Sequence, residues 1–229
     1  MLGTIVNVAA IIIGSLLGFL IKGGIPKKVG DTVIQGLALS TMLIGILNAV
    51  EVNNLMLLII SMVIGSAIGE AIDIDRFLNN IGDMIEIKLK GRGGKVSQGF
   101  VTASLLFCVG AMAIVGSLNS GLKGDHSTLF SKSVLDFVFS LISASSLGIG
   151  VLLSSVSVFL YQGTITLLAE SMKGFLIESV ITDMSAIGGL LIMGISFNML
   201  GMSKVKVANF LPAMFIPPVY QVILTLLGK

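Results

Sequence analysis

Two acidic residues and three glutamines stand where polar chemistry is most costly. Asp136, in SVLDFVFSL, and Glu170, in LLAESMKGF, fall within or beside strongly apolar stretches. A carboxyl at membrane depth costs a few kcal/mol unless it holds a partner, a proton or a cation, so each marks a site by default. Three of the four glutamines, Gln35, Gln98 and Gln162, are each followed by glycine, at spacings of 63 and 64 residues. Glutamine can bond the unpaired amides of a first helical turn, and the glycine after it lets a neighbouring helix approach. The third of these marks, Tyr161, Gln162 and Gly163 in LYQGTITLLAESM, opens the one limb that carries charge, with Glu170, Lys173 and Glu178. The expected site residues are therefore Tyr161, Gln162, Gly163, Glu170 and Asp136, with Gln35 and Gln98 as the matching positions. The ligand class they fit is a small solute or a cation. Two plainer roles stand beside this one: Glu170 and Lys173 have the spacing of an ordinary helix pair, and Asp136 near the end of its span can touch interfacial water.

These residues must be positioned by membrane helices. Hydrophobic residues make up 55% of the 229, charged residues 11%, and the mean hydropathy is +1.05. Soluble domains carry about 25% charged residues, so the expected fold is all-α, a polytopic transmembrane helix bundle with membrane lipids around it. The amino terminus is apolar from residue 2 with no basic stretch before it, which reads as a retained first span. A single cysteine, Cys108, provides no disulfide framework, and the single His126 provides no metal site. A net charge of +2 gives no basis for a nucleic-acid partner. Phosphate loops, nucleophile triads and dinucleotide fingerprints do not occur, so neither an enzymatic activity nor a cofactor is expected.

Apolar runs long enough to cross a bilayer core lie at about 2–21, 33–50, 55–72, 99–118, 184–200 and 208–227. Between them, 133–170 holds few charges and is too long for one ordinary span. The chain reads as one transmembrane domain over 1–229: three hairpins, 1–50, 55–118 and 133–180, each with a Gln-Gly opening its second limb, and the two closing spans. The segment 163–179 is expected to be re-entrant or broken, which membranes tolerate only where backbone is buried in protein or faces water. DRFLNNIGDMIEIKLK, near 75–90, has apolar residues at helical spacing and charges opposite, the pattern of an interfacial helix.

Basic connections orient the spans. Lys22, Lys27 and Lys28 lie after the first run, and Arg76, Lys88, Lys90, Arg92 and Lys95 after the third, which turns the amino terminus outward. Whether 133–180 crosses once or twice, ten basic residues fall inside and four outside. Seven and eight crossings therefore remain equally open.

Other polar positions read as structural. Asp183 precedes an apolar run as an N-cap would, Glu70 and Asp73 mark a solvated helix end, and Asn7, Asn48 and Asn198 serve as interhelical bonds. Pro212, Pro217 and Pro218 break the last span. Gly14 with Gly18, and Ser61 with Gly65 and Gly69, permit close helix contact within a bundle or with a second copy of the chain.

The strings GTIVNVAAIIIGSLLGFLIKGGIP, GDHSTLFSKSVLDF, LGIGVLLSS, YQGTITLLA and GGLLIMGISFNML resemble the bacterial membrane family known as domain of unknown function 554, the YdfK/YqgA-like proteins. The resemblance covers nearly the whole chain and implies a multi-pass protein of the prokaryotic cytoplasmic membrane, with no activity attached. From the residues themselves, the expected function is a small-solute or ion transporter or channel, linked to a cation or proton. The competing class is a membrane scaffold or regulator that acts through a partner.

Overall fold

A computed structural model describes residues 1–22, 27–77, 80, 96–108, 111–172 and 174–227. Most of the expected interfacial helix near 75–90 lies outside the described residues. Ten α-helices and one 3₁₀ helix are described in chain order: α1 Leu2–Lys22, α2 Lys27–Val50, α3 Leu55–Ile72, α4 Val96–Cys108, α5 Ala111–Leu122, α6 Ser127–Leu147, α7 Gly150–Leu167, the single turn α8 Ala169–Met172, α9 Glu178–Met199, a 3₁₀ helix Val207–Phe215, and α10 Ile216–Leu226. Strands are absent among the described residues. Seven of these stretches are long and apolar enough to cross a membrane, and α4 with α5 forms an eighth, bent by 58°.

The order of contacts fixes the direction of each crossing. Gly3 faces Leu129, Gly14 faces Phe137 and Ser140, and Gly18 faces Leu141, so α1 and α6 run parallel. Gly45 packs on Met193 and Gly189 on Ala49, which makes α2 and α9 antiparallel; Gly65 on Ala213 and Gly69 on Asn209 do the same for α3 and the 3₁₀ helix. Helix α7 begins where Gly150 meets Val96 and Phe100, and ends where Thr166 meets Gly121. It therefore runs in the same direction as the bent α4–α5 pair. With the bent pair counted as one span the described residues give eight candidate crossings, and in that arrangement ten of the fourteen Lys and Arg residues belong to connections on one side.

Three sequence expectations shift. The stretch 133–170, too long for one ordinary span, holds the two helices α6 and α7, and the second begins at Gly150, not at Gln162. They turn at Gly148, whose φ of 84° and ψ of −155° lie outside the range that residues with a Cβ adopt. Gln162 and Gly163 consequently sit near the end of a complete crossing, and they open no returning limb. The broken span is α4–α5; 163–179 holds the end of α7, the one-turn α8 and a connection to α9. Finally, the largest interfaces join distant parts of the chain, α1 with α6, α2 with α9, α3 with the 3₁₀ helix, and α4 with α7. The hairpins describe connectivity more than packing.

Small residues make these interfaces possible. A Cβ added to Gly18 would collide with the Leu141 carbonyl, and one on Gly69 with the Asn209 carbonyl. Where lipid tails surround the protein, association relies on such close packing and on interhelical hydrogen bonds. The closing span is unusual for its nine-residue 3₁₀ stretch, since runs beyond 3–4 residues are uncommon. Asn209 anchors its start: its Oδ1 accepts from the Asp75 amide at 2.7 Å and its Nδ2 donates to Glu70 Oε2 at 2.6 Å. Pro217 and Pro218 follow in the first turn of α10, where a missing N–H costs nothing.

Candidate functional site

Where α1, α6 and α7 meet, four polar side chains come together inside the bundle. Asn7, Lys132, Asp136 and Gln162 are all buried, Asn7 and Gln162 completely. Lys132 Nζ donates to Asp136 Oδ1 at 2.9 Å. Asn7 Nδ2 donates to Asp136 Oδ2 at 3.0 Å and to Gln162 Oε1 at 3.3 Å. Nearby, the hydroxyls of Thr4 and Thr166 lie 3.4 Å apart. Asp136 is nine residues into α6, about 13 Å below the helix end at 1.5 Å per residue.

The local sequence explains the arrangement. Lys132 and Asp136 are four residues apart on one helical face, where oppositely charged side chains meet. The glycines of α1 bring its backbone against α6, so that a short asparagine side chain can reach the carboxylate. Gln162 comes from α7, which crosses the same end.

Both oxygens of Asp136 are engaged, one by Lys132 and one by Asn7. A buried pair of this kind is costly to desolvate, and losing one partner strands the other charge. Two atoms of the cluster find no partner among the described residues, the acceptor Asn7 Oδ1 and the donor Gln162 Nε2. Buried polar groups are nearly always hydrogen-bonded. Chemically, the cluster offers one donor and one acceptor beside a buried ion pair.

The structure brings together two of the residues singled out from sequence, Asp136 and Gln162, and disperses the others. Tyr161 is half-buried on the opposite side of α7, with its hydroxyl oxygen enclosed and without a partner among the described residues. Gly163 is buried, yet a Cβ there would meet only Met1 Cε at 3.6 Å. Glu170 is exposed on α8, not at depth. Gln35 is exposed on α2, far along the chain from any helix start that it could cap. Gln98 is half-buried and lines a polar hollow of about 350 Å³ at the opposite end of the bundle, with Asp75, Ser97, Asn198 and Lys204.

Two cluster members were not among the expected site residues. Asn7 was expected to be an interhelical bond, which it is, but one made to a carboxylate. Lys132 carried a legible signal, its spacing of four from Asp136. Asp183 does cap a helix, though not its own: it lies inside α9, and its Oδ1 accepts from the amides of Asn53 at 2.9 Å and Asn54 at 2.8 Å, at the start of α3. At the α3 end, Lys206 Nζ donates to Glu70 Oε1 at 2.6 Å; both side chains remain exposed, and Glu70 holds the Lys206 ammonium above the usual lysine range.

Compared with known proteins, residues 2–222 match the family described as "Protein of unknown function (DUF554)". The chain is 32% identical over 224 residues to "Uncharacterized membrane protein YdfK" of Bacillus subtilis (strain 168), covering 96% of this chain and 95% of that one. It is 30% identical over 220 residues to "Uncharacterized protein YqgA" of Escherichia coli (strain K12), covering 94% of each. No solved structure matches the chain.

Proposed function

The chain belongs to the DUF554 family, and we propose that it is a membrane transporter for a small polar solute or cation, with Asp136 as the proton- or cation-exchanging group. The observation that carries this reading is the buried Lys132–Asp136 pair with an unmatched donor and acceptor beside it. Ionisable groups inside a membrane bundle face its interior and mark ion or solute paths.

Two further features support the reading. The bent α4–α5 pair is the kind of interrupted helix from which transporters build their sites. The polar hollow beside Gln98 lies at the end of the bundle opposite the cluster and opens that end to polar species. By the excess of Lys and Arg, that hollow faces the cytoplasm and both chain termini face away from it, in the cytoplasmic membrane.

The mechanism follows from the cluster's bonds. Protonation of Asp136, or its capture of a cation, weakens its hold on Lys132 and on Asn7 Nδ2. The amide of Asn7 then turns freely between Asp136 and Gln162, and a solute with one donor and one acceptor replaces those bonds.

The test is reconstitution of the full chain into liposomes, with and without a pH gradient, against a panel of cations and small polar metabolites. Flux that disappears in Asp136→Asn supports the proposal. Absence of flux for every solute, together with no ligand-induced shift in thermal stability, sinks it and leaves the scaffold or regulator role.

A further inference from the structure

A second cavity, of about 610 Å³, lies on the other side of α7 from the polar cluster. Its floor is buried and apolar, formed by Leu105, Ile114, Ile165, Leu176, Met184 and Met214. Its rim is exposed and also largely apolar, with Leu160 on α7, Phe215 at the end of the 3₁₀ helix and Val219 on α10. Helices α7 and α10 make no substantial contact across that mouth. The opening therefore lies between two membrane-spanning helices, and the residues that flank it face lipid.

Few polar groups stand in the wall. Ser104 Oγ donates to Ser157 Oγ at 3.0 Å, and the Tyr161 hydroxyl oxygen is enclosed without a partner among the described residues. Water would fill such a space with roughly 20 molecules at about 30 Å³ each, with almost no wall group to bond them. A void left empty would forfeit the dispersion contacts that hold a bundle together in lipid. Hydrocarbon satisfies both conditions, and the rim opens directly onto it.

We infer that this cavity is a lateral binding site for one acyl chain of a membrane phospholipid, entering between α7 and α10. The site is distinct from the polar cluster, but shares a helix turn with it. Tyr161 lines the cavity and Gln162, the next residue, bonds Asn7 on the other face. A chain seated there packs against the turn that carries Gln162.

The full-length protein is reconstituted in phosphatidylethanolamine–phosphatidylglycerol vesicles that contain a trace of phosphatidylcholine with a diazirine midway along one acyl chain. After irradiation, adducts are mapped by peptide mass spectrometry. Adducts are expected on Leu105, Cys108 and Met214 in the cavity as well as on outward residues such as Ile59 and Val63. Thr164→Phe at the mouth and Cys108→Phe in the wall each lower the cavity adducts several-fold and leave the outward ones unchanged, which also reports that the variants are folded. Adducts confined to outward residues overturn the inference, as do cavity adducts that neither variant reduces. Equal labelling of the cavity by a water-soluble diazirine also overturns it, by making the space aqueous.

Discussion

Asn7 on α1 donates to Asp136 on α6 across 3.0 Å, joining residues 129 positions apart inside the bundle. With Lys132 on its other oxygen, Asp136 accepts from a side chain of each of these two helices. Asp136→Leu leaves the Lys132 ammonium buried without its partner, a change that costs about 3–5 kcal/mol. The double variant Lys132→Met/Asp136→Leu removes both charges and restores most of that loss, while any flux through the protein stays absent. Thermal unfolding in one detergent measures the first effect and liposome assays the second. A double variant no more stable than Asp136→Leu would falsify the ion pair.

Gln162 and Gln35 share the following glycine but not the environment, Gln162 being fully buried and Gln35 exposed. Gln162→Leu removes one interhelical hydrogen bond, while Asn7 Nδ2 keeps its bond to Asp136. Stability should fall by about 1 kcal/mol or less, and flux should fall far more. Gln35→Leu alters an exposed position and should change stability by no more than about 0.5 kcal/mol, with flux intact. Equal effects at the two positions would count against any special role for the cluster.

The helices themselves were legible because a membrane span declares itself by composition; 55–72 matches α3 residue for residue. Asp136 and Gln162 were legible as costly polar residues, yet their meeting was not. That meeting depends on α1 lying parallel to α6, a pairing set by Gly14 and Gly18 against a backbone more than 100 residues away, and no local pattern encodes it. The turn at Gly148 was hidden for a different reason. Serine and glycine run through 140–157 without a charged residue, so hydropathy shows no boundary between α6 and α7. The assignment of Gln162 to a helix start rested on that missing boundary.

Glycines at the interfaces should differ sharply from those facing outward. In Gly69→Ala the new Cβ meets the Asn209 carbonyl, and in Gly65→Ala the backbone of Ala213. Backbone cannot rotate aside as a side chain can, so the helices must part, at a cost of about 1–3 kcal/mol. Gly36 has nothing within 4 Å, so Gly36→Ala should be neutral or should stabilise α2 by about 0.5–1 kcal/mol. Comparative thermal unfolding decides the matter, and a Gly69→Ala protein as stable as the parent would contradict the packing of α3 on the 3₁₀ helix.

Acid should loosen the start of α6. The Ser127 amide donates to Asp125 Oδ1 at 3.0 Å, and this bond, with the Ser127 hydroxyl, holds the Asp125 carboxyl below its usual value of 3.8. Because the folded value is depressed, the stabilisation is present above the unfolded value and is lost as pH falls below it through the folded value. Protection of the first α6 amides, measured as exchange relative to the intrinsic rate at each pH, should therefore fall on acidification in the parent. In Asp125→Ala that protection should already be low at neutral pH and should lack the step.

Lys123 and Lys204 are both exposed, each in a connection between crossings, and the chain between them contains α6, α7 and α9. Three crossings put the two residues on opposite sides of the membrane. Had 133–180 crossed only once, two crossings would separate them and they would share a side, an alternative that charge counting left equally open. Single cysteines, Lys123→Cys and Lys204→Cys in a Cys108→Ala background, can be tested in intact cells with an impermeant thiol reagent. Modification of position 123 from outside and of position 204 only after permeabilisation is the expected result. Labelling of both from one side would exclude the eight-crossing arrangement and, with it, the placement of the polar cluster and the polar hollow at opposite ends of the bundle.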